Sequence, residues 1–149
     1  MHYYTMVNHG QTYKVQKKNY MGQIKIFGIK EELHPIREKL SATLHECVME
    51  AFQYPKDKKA HRFIYIDDDS YFYFETRTRK HTIIEINLFE GRSIEAKKKL
   101  YQLLFSRFDA ELGISNMDLE ITLFESPKHN WGIRGKSGDE LDLNYKVDV

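Results

Sequence analysis

Seven histidines, one cysteine and three consecutive aspartates are the residues of this sequence suited by type to metal or nucleophilic chemistry. Their spacing argues against both. No HxxxH or CxxC pattern occurs, and His45 and Cys47, two apart in a helical stretch, point in different directions. Cys47 has no histidine in a nucleophile motif and reads as a small core residue. The aspartates at 67–69 lack the rest of a calcium loop and read as an acidic turn. No cofactor and no metal are expected, and nothing resembles a phosphate-binding glycine loop. "KAHR" and "RTRK", with Tyr71, Phe72 and Tyr73 between them, combine cations with stackable rings, a pairing that grips an anion or single-stranded nucleic acid. The chain as a whole carries 23 basic against 22 acidic side chains, a net charge of +1, so no overall field gathers nucleic acid or anionic membrane. These clusters are read as surface charge, with neither nucleic acid nor membrane as partner. Arg92, in "EGRS", stands just before a predicted helix, where helix-start amides and a guanidinium converge on an anion. A cap or a subunit-interface salt bridge is the other reading of Arg92.

The elements that must hold these residues follow from periodicity. "QIKIFGI" alternates as a strand, with Ile24 and Ile26 against Lys25 and Phe27. "HPIREKLSATLHECVMEAF" has helical spacing, with Ile36, Leu40, Leu44, Val48 and Phe52 along one stripe and Pro35 in the first turn. "HRFIYI" is a short strand. "HTIIEINLF" alternates Thr82, Ile84, Ile86 and Leu88 against Ile83, Glu85, Asn87 and Phe89. Ser93 is the expected N-cap of a second helix, with Glu95 in its first turn, a buried stripe through Leu100, Leu103, Leu104, Phe108 and Leu112, and a stop at Gly113. "DLEITLFES" is the fourth strand, and a Gly-rich polar tail follows. Residues 1–21 show no sustained period and are read as an N-terminal extension to a domain spanning 22–149. The stretch 71–80 gives no clear pattern.

The order strand, helix, strand occurs twice, and Ile24-Lys25-Ile26 is echoed by Ile84-Glu85-Ile86. The expected fold is α+β: duplicated β-α-β units forming a four-stranded mixed sheet with both helices on one face. The other face carries Glu85, Asn87, Glu120 and Thr122 among Phe27 and Phe124, too apolar to leave wet and too polar for a sealed core, so association of several subunits is expected there. A length of 149 residues suits one domain. One cysteine and the lack of a signal-like or membrane-length apolar run point to a cytoplasmic protein.

"GQIKIFGI", "IIEINLFEGRSIEAKKKLYQLL" and "EITLFESPKHNWGIRGKSGDELDL", in that order and spacing, resemble the tautomerase superfamily, whose members include 4-oxalocrotonate tautomerase and macrophage migration inhibitory factor, and in particular the full-length branch with malonate semialdehyde decarboxylase. The resemblance covers about residues 22–145. It implies a homotrimer with sheets facing inward, sites between neighbours, and a proline at the mature N-terminus as base. Here Gly22 matches that proline, so the inherited base is absent unless the chain begins at Gly22 with a free amine. The resemblance aligns Arg92 with an arginine that holds a substrate carboxylate. Glu90 stands where that branch has a second arginine, and no acid is evident near residues 59–61. Trp131 aligns with a tail tryptophan that closes the pocket, and Arg134 lies in a tail shared with tautomerase-like proteins that also lack the proline. The implied activity is proton transfer on a small keto or enol carboxylic acid, with Gly22, His61 or Glu85 as catalytic candidates and Arg92, Asn87, Trp131 and Arg134 as the substrate-binding set. A non-catalytic trimer serving as a small-molecule or protein binding module is the alternative, and a monomeric ferredoxin-like module a third.

Overall fold

The computed structural model describes residues 3–16, 22–141 and 148–149. It opens with an antiparallel hairpin, β1 (Tyr3–Asn8) and β2 (Gln11–Gln16), where no sustained period was expected. Tyrosine, threonine and valine favour extended backbone without alternating apolar and polar positions, which hides such strands from a periodicity reading. His9 and Gly10 both have positive φ (49° and 77°), the geometry of a two-residue hairpin turn.

The main sheet is built as the repeat predicts. β3 (Ile24–Ile29) leads through helical turns Lys30–Leu33 and His34–Ile36 into α1 (Arg37–Phe52) and on to β4 (His61–Ile66). β5 (Thr82–Phe89) leads into α2 (Ile94–Arg107), a wider π-type turn Phe108–Leu112, and β6 (Leu119–Ser126). A small hairpin of β7 (Gly132–Ile133) and β8 (Lys136–Ser137) follows. Pro35 sits in the tight turn before α1, one turn earlier than expected, because the regular helix starts only at Arg37. Ser93 caps α2 as expected, its hydroxyl accepting from the Ala96 N–H, and Gly113 ends the segment in the left-handed region.

The strand order is β4-β3-β5-β6, with parallel outer pairs and an antiparallel centre. Ile24, Ile26, Ile84 and Ile86 are fully buried against Leu40, Leu44 and Val48 of α1 and Leu100 and Leu104 of α2, so both helices cover one face. Burial of each such side chain contributes about 1.5–3 kcal/mol. The opposite face presents Lys25, Phe27, Glu85 and Asn87, all partly buried, flanked by Ile64 and Phe124 at 39% and 47% exposure. That mixed, half-wet face is the one the alternation predicts.

Register gives the sheet two distinct ends. Ile24 pairs with both His61 and Ile86, and Phe89 with Ser126, so the starts of β3 and β4 lie beside the finishes of β5 and β6. One end therefore gathers Gly22, His61, Asn87, Arg92 and Ser126. The other gathers the starts of β5 and β6 beside the finishes of β3 and β4.

Gly22 is buried where the chain enters β3, and a methyl group on it would lie 1.3 Å from the Asn87 carbonyl oxygen and 2.9 Å from the Leu88 Cα. Backbone, not a yielding side chain, fills that space. Gly22→Ala is expected to displace the start of β3 and cost about 1–3 kcal/mol, as overpacking of a close contact does. Urea unfolding of the variant checks this; an unchanged midpoint would show that β3 enters the sheet by another path.

Candidate functional site

At the Gly22 end, the side chains expected to bind substrate are largely engaged within the chain. Arg92 is 6% exposed, donates from an Nη to the Phe89 carbonyl at 2.9 Å, and lies 5.3 Å from the centroid of the Phe52 ring. The backbone N–H of Ser93 donates to the main-chain oxygen of Val149, and that of Ala96 to the Ser93 hydroxyl. Helix-start amides and the guanidinium do converge here, and the chain itself supplies acceptors for the Ser93 and Ala96 amides and for one guanidinium N–H. Trp131 packs edge-on against Phe89, with centroids 5.3 Å apart, and its indole N–H donates to Ser126 Oγ at 2.8 Å. It covers this end of the open face, where Phe89 is 3% exposed. Asn87 is on the open face, next to the backbone that confines Gly22. Arg134 is at the exposed tip of the β7–β8 hairpin with a positive φ of 52°, beside a shallow cleft of about 430 Å³ lined in part by Trp131 and Lys136.

The candidate bases fall on opposite faces of the sheet. Glu85 alternates with the buried Ile84 and Ile86 and so stands on the open face, opposite Lys25. His61 shares the helix side with Phe63 and Tyr65; its Nδ1 is 2.8 Å from Ser41 Oγ of α1, and its ring is 6.0 Å from that of His45. His45 in turn holds the Lys56 carbonyl at 2.8 Å through Nε2. Burial first, then His45 and Lys59, push the His61 imidazole from 6.5 down to about 3. So weakly basic a ring is poorly matched to general-base work near neutral pH. His61 and Glu85 are therefore not brought together, and neither adjoins Arg92 by a hydrogen bond or ion pair among the described residues. Cys47 is fully buried in the core, where burial raises its thiol to about 11 and keeps it inert. Among the described residues, no three His, Cys, Asp or Glu side chains gather as a metal site, and no helix is long and apolar enough to cross a membrane.

The other end of the open face holds a constellation that spacing did not single out. Tyr71 Oη lies 2.7 Å from His81 Nδ1, with the two rings stacked, and His81 Nε2 faces Glu120 Oε1 at 3.5 Å. Arg77 approaches the same Glu120 oxygen at 3.6 Å. Tyr71 and Arg77 lie in the stretch without periodicity, and Glu120 was seen only as a polar position of the bare face. The usable signal was positional: His81 directly precedes β5 and Glu120 is the second residue of β6, so both stand at strand starts in the second repeat.

A four-stranded sheet of two parallel pairs joined antiparallel, with both helices on one face, defines a duplicated β-α-β protein with an open face. The profile of the tautomerase enzyme family matches residues 58–134, and the chain belongs to that family. It is 29% identical over 99 residues to probable tautomerase YusQ of Bacillus subtilis (strain 168), covering 63% of this chain and 78% of that protein. It is 33% identical over 57 residues to 2-hydroxymuconate tautomerase of Comamonas testosteroni, covering 38% of this chain and 90% of that one. In fold it is similar to malonate semialdehyde decarboxylase, with a TM-score of 0.68 at 19% identity over 76% of this chain and 92% of the other. It is also similar to native fused 4-OT, with a TM-score of 0.68 at 16% identity over 80% of this chain and 98% of the other.

The depressed His61 predicts an acid sensitivity. Below pH 6.5 the unfolded chain binds a proton that the folded chain refuses, so this residue's contribution to stability falls as pH drops from about 6.5 towards 3. Over that window the urea midpoint of His61→Gln should depend less steeply on pH than that of the parent, by up to about one proton. Parallel curves would show that His61 titrates normally in the fold.

Proposed function

We propose that the protein moves a proton between carbon and oxygen of a small keto or enol carboxylic acid, as a cytosolic homotrimer and with a side-chain base in place of an amino-terminal one. Membership of the tautomerase family over residues 58–134 carries the reading, because the matched region contains the open-face residues Glu85 and Asn87 together with Arg92 and Trp131. The name of the Comamonas relative supplies the substrate class, an α-enol carboxylic acid. The open face supports the trimer, as do similar folds described as fused 4-OT trimers. A cytosolic setting suits a lone buried thiol.

The base is a side chain for two reasons. In this chain Met21 precedes Gly22, so the Gly22 nitrogen is a peptide amide without basicity. The backbone of Asn87 and Leu88 also leaves no room at 22 for the carbons of a proline ring. Carboxylates of the open face, Glu85 among them, are the available bases. A second reading, a non-catalytic trimer that binds a small molecule or protein, is favoured by the inward engagement of Arg92 with Phe89 and Phe52.

Ketonisation of 2-hydroxymuconate, followed by its ultraviolet absorbance, separates these readings. Residues 1–149 are expected to accelerate it, and a chain trimmed to begin at Gly22 to do no better. Turnover only after trimming would restore an amino-terminal amine as base. No turnover by either chain would leave the binding reading in its place.

A further inference from the structure

The echo of Ile24 in Ile84 makes residue 82 the counterpart of Gly22. The pairings Ile24 with His61 and Ile84 with Ile121 make residue 121 the counterpart of His61. His81 and Glu120 each stand one residue before those counterparts, which turns both to the open face. The second repeat thus has threonine where the first has a glycine hemmed in by backbone, with an ionisable side chain just before it and another just before the counterpart of His61. His81 is 4% exposed, and its Nε2 has no hydrogen-bond partner among the described residues. Its two nitrogens face groups that reach solvent: Tyr71 is partly exposed, and the Glu120 side chain is 42% exposed.

We propose that the second repeat carries the proton-transfer site, with Glu120 as base, Tyr71 as acid, His81 as the relay between them, and Arg77 as anchor for the substrate carboxylate. The assignment rests on the reading that the protein moves protons on keto or enol acids. Arg77 donates to Thr76 Oγ1 at 2.7 Å, lies over the exposed ring of Phe74, and keeps a buried Nε–H with no partner among the described residues. Its guanidinium retains donors for a carboxylate, and Phe74 supplies an apolar wall. The loop does not depend on the Tyr71–His81 contact for its anchorage. Asp118, 3% exposed, already accepts from the backbone and hydroxyl of Thr78 at 2.7 and 2.6 Å, and the backbone N–H of His81 donates to the Thr78 carbonyl.

The step balances without a redox partner. With its ring proton on Nδ1, His81 donates to the Tyr71 oxygen and leaves the Tyr71 O–H directed to substrate. Glu120 removes the proton from carbon, and the released electron pair forms the C–C double bond of the enol. The carbonyl oxygen takes the Tyr71 proton, Tyr71 takes the Nδ1 proton, and Glu120 passes its proton to Nε2. One proton has left carbon and one has reached oxygen, and the imidazole ends neutral in its other tautomer. Water at the exposed Glu120 and Tyr71 resets it, and ketonisation is the reverse.

The test uses the full chain and the enol acid named above, with Glu120→Gln, Tyr71→Phe, His81→Gln and Arg77→Ala. Glu120→Gln is expected to lower kcat by about 100-fold or more with KM little changed. Arg77→Ala should mainly raise KM. Burial first, then Glu120 and Tyr73, raise the Tyr71 hydroxyl above its usual value, so Tyr71→Phe should lower kcat and abolish the alkaline limb of the rate profile. His81→Gln should lower kcat and alter the pH profile without changing KM, which a merely structural role would not do. If the parent turns over and the folded Glu120, Tyr71 and His81 variants match it, the assignment is overturned while the proposed function stands. If the parent is inactive, the proposed function and the proton-transfer role both fall. Pyruvate titration read at the His81 imidazole then decides the anchor: a shift lost in Arg77→Ala supports it, and no shift overturns it.

Discussion

The antiparallel contact between β3 and β5 is the constraint on which the rest of the molecule depends. It sets Ile24 opposite Ile86 and Ile26 opposite Ile84, and all four are completely buried beneath the helices. The same register sets Lys25 opposite Glu85 on the other face, an opposite-charge pair of the kind that supports cross-strand pairing. A slip of one residue would turn the isoleucines to solvent and the charges into the core. Because each outer strand is parallel to its inner neighbour, this one contact also decides which strand starts share an end of the sheet.

The consequence at the first repeat is crowding. Where β5 finishes, its backbone at Asn87 and Leu88 comes so close to Gly22 that no side-chain carbon fits, and glycine is the residue that tolerates the approach. Beyond that point Arg92 turns inward to the Phe89 carbonyl and the Phe52 ring, and Val149 reaches the amide of Ser93. The Ser93 and Ala96 amides and an Arg92 N–H, which would meet a ligand, are thus taken up by the chain itself. At the second repeat the corresponding position is threonine preceded by histidine, and the polar groups there point to the open face instead.

Much of the fold was legible because periodicity reports burial. Ile24 and Ile26, the α1 stripe from Leu40 to Phe52, the β5 alternation and the Ser93 cap all follow from residues repeating at the period of the element that buries them. The hairpin of β1 and β2 escaped because its residues do not alternate by polarity. The site was far less legible, since its geometry depends on which face and which end a residue reaches. Arg92 was placed correctly at the helix start, but its inward turn depends on Phe52, forty residues away. Tyr71, His81 and Glu120 come together only through sheet register and a loop without period.

The environments of His61 and His81 show why location alone does not make a site. His61 and His81 each meet a hydroxyl through Nδ1, at 2.8 and 2.7 Å. Around His61 the hydroxyl is that of Ser41, 8% exposed on α1, and the second nitrogen is buried without a partner among the described residues. A proton arriving there has nowhere to go, and burial makes its arrival unfavourable. Around His81 the hydroxyl belongs to a partly exposed tyrosine, and the second nitrogen faces a carboxylate in contact with solvent. Proton movement through an imidazole needs an acceptor and a donor on opposite sides that both reach the reacting molecule. Of these two histidines, His81 has that arrangement.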